Sequence, residues 1–232
     1  MLRVDNLAAS YGPAQVLFDI SFAVNDGEVV TLIGRNGMGK TTTIFALMGL
    51  VPPQSGTASF DGKSLIGLPP YSIAQAGIGL VPEGRQIFPT LTVEENLIAT
   101  NAARFGAPQW TLTRVYKFFP SLAARKNNMG NELSGGEQQM LAIGRALMTN
   151  PKLLILDEAT EGLAPKIRTE IWNCLSLLKN EGQAILVVDK HLKALMKIAD
   201  RHVVIEKGRV MWTGTSAELA ADATVRERYL QV

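Results

Sequence analysis

The sequence is poor in the features that mark several classes of protein. Its 232 residues contain one cysteine, so no disulfide can form within the chain, and this is typical of a reducing compartment. Cys174 lies in the apolar stretch IWNCLSLL, where we interpret it as a core residue. No apolar run approaches the roughly 18 to 20 residues that span a bilayer. The sequence therefore predicts neither a disulfide-stabilised fold nor a membrane-spanning segment.

Charge and targeting signals are also scarce. The formal net charge is +2, and the basic residues form no run that could follow a nucleic-acid backbone. The first residues, MLRVDNLAASYG, lack the basic region and apolar core of a signal peptide. We therefore expect no nucleic-acid partner and no signal peptide. Any work at a membrane would go through partner subunits.

The order of predicted elements indicates an α/β core that is interrupted by a helical insertion. Strands are predicted by the alternating stretches LRVDNL and LFDISFAV and by the buried runs EVVTLIG, KLLILDE and AILVV. A hairpin that turns at Lys207-Gly208 is predicted by HVVIEKGRVMW. The stretch PKIRTEIWNCLSLLKNEG predicts a helix that Gly182 ends. We predict one domain, 1–232.

The insertion begins near Arg85, where helical signals replace strand signals. Thr92 and Glu95 form a capping box that opens the stretch TVEENLIATNAAR, and Pro120 stops a second short helix. Together with the helix that follows Ser134, this segment is predicted to form a helical subdomain over 85–150.

Residues 34–41 read GRNGMGKT, which has the spacing of a phosphate-binding loop between a strand and a helix. Glycines let backbone N–H groups turn towards phosphate oxygens, and the helix N-terminus adds positive potential. Lys40 can reach the β- and γ-phosphates, and the Thr41 hydroxyl can ligate Mg²⁺. The strand-then-helix context argues against a turn that binds nothing. The predicted nucleotide-binding residues here are Gly34, Arg35, Asn36, Gly37, Met38, Gly39, Lys40, Thr41 and Thr42.

A second candidate element is LLILDEAT at 153–160. Asp157 stands at the carboxyl end of a buried strand, where it can help to hold Mg²⁺, and Glu158 is a candidate general base for an attacking water. An apolar run that ends in two acids is a weak signal alone. It is strong when it is paired with the phosphate-binding loop.

The stretch LSGGEQQ at 133–139 predicts an anion site at a helix N-terminus. Ser134 and Glu137 form a capping box, and Gly135 and Gly136 leave the N–H groups of the first turn uncovered. One nucleotide does not need two such helix ends. Two chains packed head-to-tail do need them, because each helix would then cap the γ-phosphate held by the other chain.

These motifs, taken together, resemble the nucleotide-binding subunits of ATP-binding cassette transporters over essentially the whole chain. The resemblance implies a P-loop NTPase core with an antiparallel β subdomain and a helical subdomain that docks on membrane permease subunits. It also implies that Tyr11 stacks on adenine, with core packing as the alternative. ATP and Mg²⁺ are the implied ligands, and a peripheral place at the cytoplasmic face of the inner membrane is the implied location.

Two departures from the family pattern indicate which branch of the family the sequence resembles. Glu83 replaces the usual glutamine, and Ala164 replaces the aspartate that usually ends the loop after Asp157. Both are similar to the smaller ATPase subunit of branched-chain amino-acid importers, which works with a second ATPase, permeases and a periplasmic binding protein. Relatives that serve urea and short amides share them. Glu83 is either a weak Mg²⁺ ligand or an exposed carboxylate that senses the membrane partner.

The end of the stretch AILVVDKH leaves three interpretations open. The family usually has a histidine directly after the acid at Asp189, and that histidine contacts the γ-phosphate. Lys190 occupies this position, and His191 lies one place beyond it. Lys190 could serve electrostatically, His191 could reach the phosphate through a shifted loop, or both could be solvated.

We therefore expect an ATPase that powers import of branched-chain amino acids, with a urea or short-amide importer as the alternative. The working pair is either a homodimer or a heterodimer. A cassette ATPase of DNA repair or translation would carry coiled-coil insertions or two cassettes, and a small-molecule kinase would not need LSGGEQQ. An ATP-binding scaffold without turnover is disfavoured by Glu158.

Overall fold

The computed structural model describes residues 1–230, apart from the side chains of Arg226 and Leu230. The predicted domain, 1–232, also includes Gln231 and Val232, which lie outside the described residues. The strands are β1 (Leu2–Tyr11), β2 (Ala14–Val24), β3 (Val29–Ile33), β4 (Pro53–Phe60), β5 (Lys63–Ser64), β6 (Ile78–Val81), β7 (Leu153–Asp157), β8 (Ala184–Val188), β9 (Arg201–Glu206) and β10 (Arg209–Gly214). They form one sheet in the order β5-β4-β1-β2-β10-β9-β3-β8-β7-β6.

One side of this sheet is parallel and carries the predicted site. β6, β7, β8, β3 and β9 are neighbours that run in the same direction. Every residue of β3, β7 and β8 is buried, as expected of parallel strands that are covered on both faces. Because the carboxyl ends of parallel strands meet at one edge, the segments that follow β3, β6, β7 and β8 converge there.

The other side of the sheet is largely antiparallel. β1 pairs with β2 and β4, and β4 pairs with the short β5. The predicted hairpin at Lys207-Gly208 joins β9 to β10, and both turn residues have positive φ, 49° and 70°. β10 reaches β2 through the pairing of Arg209 with Asp19. The α/β core with an antiparallel β subdomain is therefore confirmed.

The helices cover the sheet and form the insertion. They are α1 (Lys40–Leu47), α2 (Pro70–Gln75), α3 (Val93–Ile98), α4 (Leu112–Phe118), α5 (Pro120–Ala124), α6 (Gly135–Met148), α7 (Pro165–Asn180), α8 (Leu192–Ile198), α9 (Ser216–Ala221) and α10 (Ala223–Val225). A 3₁₀ turn (Gly130–Glu132) precedes α6, and a π turn (Arg226–Leu230) follows α10. Within residues 1–230, no helix combines the length and apolarity needed to cross a bilayer.

The predicted helical segment, 85–150, contains α3 to α6, but α3 is shorter than its sequence pattern suggests. The predicted capping box at Thr92 and Glu95 is present, yet α3 ends at Ile98. Beyond it, Thr100 donates to the Arg145 carbonyl at 2.9 Å, and the N–H of Ala102 donates to the Met148 carbonyl at 3.0 Å. Contacts with the end of α6 thus draw the chain out of the helix.

Two further predictions concern single residues in helices. Pro120 does follow the end of α4, but it also begins α5, where its missing N–H costs nothing. The predicted core position of Cys174 on α7 is confirmed, and burial raises the pKa of this thiol to about 12. Cys174 therefore stays a neutral thiol that packs in the core.

His202 on β9 is fully buried and gives the fold a pH dependence. Its Nδ1 lies 2.7 Å from Thr31 Oγ1 and its Nε2 lies 2.8 Å from Ser216 Oγ. Ser216 Oγ donates to the Ala199 carbonyl, so it accepts from Nε2, and Nδ1 accepts from Thr31. Burial lowers the pKa of His202 to about 4.

We predict that His202 makes the protein less stable in mild acid. The histidine of the unfolded chain has its ordinary pKa of about 6.5, so the unfolded state takes up more protons as pH falls from there towards 4. Between pH 7.5 and 5.0 the free energy of unfolding should fall by about 2 kcal/mol on this account. Urea unfolding at both pH values checks this. His202→Gln should remove that part of the difference, and an unchanged difference in the variant would contradict the assignment.

Candidate active site

The phosphate-binding loop follows β3 and needs glycine at two close contacts. A Cβ on Gly34 would lie 2.2 Å from the Ile205 carbonyl oxygen, and a Cβ on Gly39 would lie 2.8 Å from Leu17 Cδ2. Both glycines also have positive φ, 149° and 102°. Since a side chain at either position would be strained or displaced, the loop can follow this path only with glycine.

Lys40 begins α1 and lies inside the loop. Its Nζ donates to the carbonyl oxygens of Gly34 and Arg35, both at 2.9 Å. Burial lowers the pKa of Lys40, and the nearby carboxylates of Glu158 and Asp157 oppose that effect. The sequence thus places one buried amine at the point where the loop's N–H groups and the helix N-terminus gather positive potential.

A cavity of about 320 Å³ lies over this loop. Its walls come from the β1–β2 hairpin, the loop and first turn of α1, and the segments that follow β6 and β7. The lining residues are Val16, Asn36, Gly37, Gly39, Lys40, Thr41, Thr42, Glu83, Glu158 and Glu161. Predicted residues from the segments that follow β3, β6 and β7 therefore meet at this cavity, as expected at the edge of the parallel strands.

Asp157 ends β7 and has the properties of a cation ligand. Its carboxyl group is buried, and Oδ1 accepts from Thr41 Oγ1 at 3.3 Å. Oδ2 is buried and has no hydrogen-bond partner among the described residues. Burial raises the pKa of Asp157 to about 6, and Glu83 adds to the rise. A divalent cation beside Thr41 and Asp157 would give the unpartnered oxygen a ligand bond, so this pair is suited to Mg²⁺.

Glu158 follows Asp157 in a strained backbone conformation. Its φ is 49°, and its N–H donates to the Val188 carbonyl at 2.8 Å. Carboxylate oxygens of Glu158, Glu83 and Glu161 all lie within 4.8 Å of one another. A hydrogen bond with Glu161, followed by burial, raises the pKa of Glu158 to about 7. A carboxylate with a pKa near neutrality is suited to accept a proton from water.

Lys190 and His191, which follow β8, have different partners. Lys190 Nζ lies 2.5 Å from Glu161 Oε1 and is exposed. His191 Nδ1 lies 2.7 Å from Asp189 Oδ1, and Arg168 of α7 donates to its Nε2. Because arginine can only donate, Nε2 accepts and Nδ1 carries the proton. Lys190 therefore contacts a residue that lines the cavity, and both Lys190 and His191 line a separate groove between α7 and α8.

The predicted anion site at the start of α6 has the expected local structure. Ser134 is exposed, its Oγ accepts from the Glu137 N–H at 3.3 Å, and the Glu137 carboxylate accepts from the Ser134 N–H at 2.8 Å. The N–H groups of Gly135 and Gly136 have no acceptor within the helix. A Cβ on Gly136 would lie 2.7 Å from Ile167 Cγ2, so this glycine also allows α7 to pack against α6.

Several predicted residues do not line the cavity. Tyr11 is 48% exposed at the end of β1, so the alternative that it packs in the core is wrong. Arg35 donates to the Arg228 carbonyl at 2.8 Å, and Met38 accepts through its carbonyl from the Gly208 N–H at 3.0 Å. Arg35 therefore contacts the π turn that follows α10, and Met38 contacts the β9–β10 turn.

Sequence reasoning missed three residues at or near the site. Val16 forms part of the cavity wall, Glu161 contacts both Glu158 and Lys190, and Arg85 contacts the start of α6. Glu161 carried one available signal, since it follows Glu158 by three residues in the same loop. Val16 and Arg85 carried none, because their contacts depend on tertiary structure.

Comparison with known proteins places these features in a family. The family described as ABC transporter matches residues 17–161. The chain is 43% identical to the high-affinity branched-chain amino acid transport ATP-binding protein BraG of Pseudomonas aeruginosa, over 99% of each chain. It is 35% identical to the lipopolysaccharide export system ATP-binding protein LptB of Haemophilus influenzae, over 99% of this chain and 97% of the other.

A solved structure of an ATP-binding subunit of an ABC transporter has the same fold. The TM-score is 0.85 at 30% sequence identity, and the match covers 100% of this chain and 96% of that one. The family match spans more than half of the chain, and it includes both the phosphate-binding loop and the Asp157-Glu158 pair. The chain therefore belongs to the ABC transporter family and is one of its ATPases.

Proposed function

We propose that this ATPase powers import of branched-chain amino acids through separate membrane permease subunits. One observation carries the substrate class: the 43% identity to BraG extends over 99% of both chains and exceeds the 35% identity to LptB. The departures at Glu83 and Ala164 are similar to importer subunits of this kind, but relatives that serve urea and short amides share them, so the substrate class depends on the identity to BraG.

The residues around the cavity have separate roles in the proposed reaction. Lys40 and the backbone N–H groups of the loop stabilise negative charge on the phosphates. Thr41 and Asp157 would hold Mg²⁺, which when bound neutralises charge on the phosphate oxygens. Glu158 accepts a proton from the water that attacks the γ-phosphate. Support for these roles comes from the cavity that Lys40, Thr41 and Glu158 line, and from the buried Oδ2 of Asp157, whose Oδ1 accepts from Thr41.

Glu83 is a weaker candidate for the metal. Its carboxylate lies in the acidic trio with Glu158 and Glu161, and it is exposed. This position allows it to approach a cation beside Asp157 and also leaves it open to a partner subunit. We propose the first role, and we keep the second as the outcome that an unchanged Mg²⁺ affinity in Glu83→Gln would indicate.

Lys190 is the better candidate for a phosphate contact after β8. It is bound to Glu161 at the cavity wall, and exchange of that carboxylate for phosphate oxygens needs only a movement of its flexible side chain. His191 is held on both ring nitrogens by Asp189 and Arg168. We propose that His191 positions α7 relative to the loop after β8.

The start of α6 suits a site completed by a second chain. Among the described residues that line the cavity, none belongs to 134–137. Ser134, Gly135 and Gly136 would therefore cap the phosphates held by a partner ATPase, either a second copy or a related subunit. We propose that Glu137 acts by capping the helix, since Ser134 and Arg125 both bind its carboxylate.

The helical segment is proposed to face the permease at the cytoplasmic side of the inner membrane. Phe88, Ile98 and Met129 are large apolar side chains there that are 43%, 52% and 41% exposed. Such side chains are typical of a surface that a partner covers. A periplasmic binding protein would deliver the substrate to the other side.

A reconstituted transporter tests the substrate class. The chain, its partner ATPase and its permeases are placed in liposomes with the cognate binding protein, and ATP turnover is measured. Leucine, isoleucine or valine should stimulate turnover about tenfold, whereas urea and acetamide should not. Stimulation by urea or acetamide alone would replace the proposal with the amide importer, and stimulation by none would contradict import of any of these solutes.

A further inference from the structure

Arg85 joins the loop after β6 to the first turn of α6. A Cβ on Gly135 would lie 2.8 Å from Arg85 Nη1 and 2.9 Å from Nη2, so glycine leaves the space that the guanidinium occupies. Nη1 also donates to Gln138 Oε1 at 3.2 Å. The planar guanidinium thus covers one side of the turn that begins the predicted anion site.

The backbone around Arg85 is held in an unfavourable conformation. Gly84, Arg85 and Gln86 have consecutive positive φ values of 80°, 67° and 46°. Residues with a Cβ adopt this region reluctantly, and such a conformation persists only when surrounding contacts fix it. It therefore indicates that surrounding contacts fix the backbone of this loop.

A second contact fixes the same loop on α6. Arg145 donates to the Gln86 carbonyl at 2.7 Å, and its guanidinium lies 4.1 Å from the centre of the Phe88 ring. The loop is thus bound to α6 near both ends of the helix, by Arg85 at the first turn and by Arg145 towards the last. Glu83, two residues before Arg85, lines the cavity over the phosphate-binding loop.

The charge of Arg85 is unusual for its place. Within residues 1–230, no carboxylate forms an ion pair with it. It lies at the positive end of the α6 dipole, where a cation is unfavourable without an anion nearby. One hydrogen bond, to Gln138, and close packing of the guanidinium against Gly135 hold the side chain at this position.

We propose that Arg85 is a positioning residue that holds the first turn of α6 in the orientation presented to the partner chain's nucleotide. The proposal rests on the head-to-tail pair of the proposed function. Arg85 fixes where the N–H groups of Gly135 and Gly136 point, and its charge adds to the field that favours the partner's phosphates. The predicted consequence is a change in the ATP concentration needed for turnover, with little change in the rate at saturation.

The test uses Arg85→Asn, because asparagine tolerates positive φ and removes the guanidinium. In the assembled transporter, the ATP concentration for half-maximal turnover should rise about tenfold while kcat stays within about threefold. ADP affinity of the isolated chain, which depends on its own phosphate-binding loop, and the melting temperature should both stay unchanged. Arg85→Lys keeps the charge but lacks the planar guanidinium, and its ATP concentration for half-maximal turnover should lie between those of the parent and Arg85→Asn.

Arg114→Gln is the matched control, since Arg114 also lies in the helical segment 85–150 but forms its ion pair with Glu181 and not with this turn. The control variant should need the same ATP concentration for half-maximal turnover as the parent. If Arg85→Asn needed the same ATP concentration for half-maximal turnover as the parent while Ser134→Arg was inactive, the role of Arg85 would be overturned and the pairing of two chains would stand. A lower melting temperature together with weaker ADP binding in Arg85→Asn would show that Arg85 only stabilises the fold, and this would also overturn its positioning role. Full turnover by Ser134→Arg would overturn the pairing as well.

Discussion

Glu158→Gln should lower ATP turnover of the assembled transporter by about a thousandfold, and ATP affinity should stay within about threefold. Glutamine preserves the shape of the side chain but cannot take a proton from water. The parent carboxyl group has a pKa raised to about 7 by its hydrogen bond with Glu161 and by burial, which suits a base at neutral pH. Steady-state phosphate release and equilibrium ATP binding measure the two effects separately.

Glu83→Gln provides the matched control, because it makes the same chemical change within the same acidic trio. Its turnover should remain within about tenfold of the parent, since Glu83 is assigned only a weak contact with the metal. If Glu158→Gln turned over ATP at the parent rate, Glu158 would not be the general base. If Glu83→Gln were the inactive variant, the two roles would have to be exchanged.

Asp157→Asn should lower turnover by about a hundredfold and raise the Mg²⁺ concentration that half-maximal turnover requires. Asp157 Oδ2 is buried and without a partner among the described residues, so a cation is the group that would satisfy it. The amide removes the charge from the ligand. Mg²⁺ titrations of turnover measure the effect, and Asp61→Asn, at a surface ion pair with Lys152, is the control.

The same assignment predicts a pH dependence. The pKa of Asp157 is raised to about 6, so below that pH the carboxyl group takes up a proton that Mg²⁺ must displace. The Mg²⁺ requirement of the parent should therefore rise up to about tenfold per pH unit below 6 and should be flat well above it. Asp157→Asn should lose this slope. An equal slope in the variant would show that another group holds the metal.

Local signals predicted much of the fold. The capping boxes at Thr92 and Ser134 begin helices where the sequence places them, and the β9–β10 turn lies at Lys207-Gly208. These features depend on interactions within a few residues, which the sequence displays directly. The convergence of Thr41, Asp157 and Glu158 followed from one further rule, that parallel strands end at one edge.

Other features depended on contacts between distant segments. α3 stops at Ile98 because the chain beyond it binds the end of α6, about 45 residues later. The place of Arg85 against Gly135 depends on a turn in which three consecutive residues have positive φ, and only one of these residues is a glycine. The orientation of His191 was set by Arg168 of α7. No periodicity or motif reports such pairings, so the sequence left the choice between Lys190 and His191 open.

A structure of the Glu158→Gln pair with ATP and Mg²⁺ would show whether two chains together complete each ATP site. We expect the γ-phosphate to lie between Lys40 of one chain and Ser134 of the opposing chain, with Thr41 and Asp157 bound to the metal. A nucleotide bound by one chain alone, with Ser134 of every chain facing solvent, would contradict it.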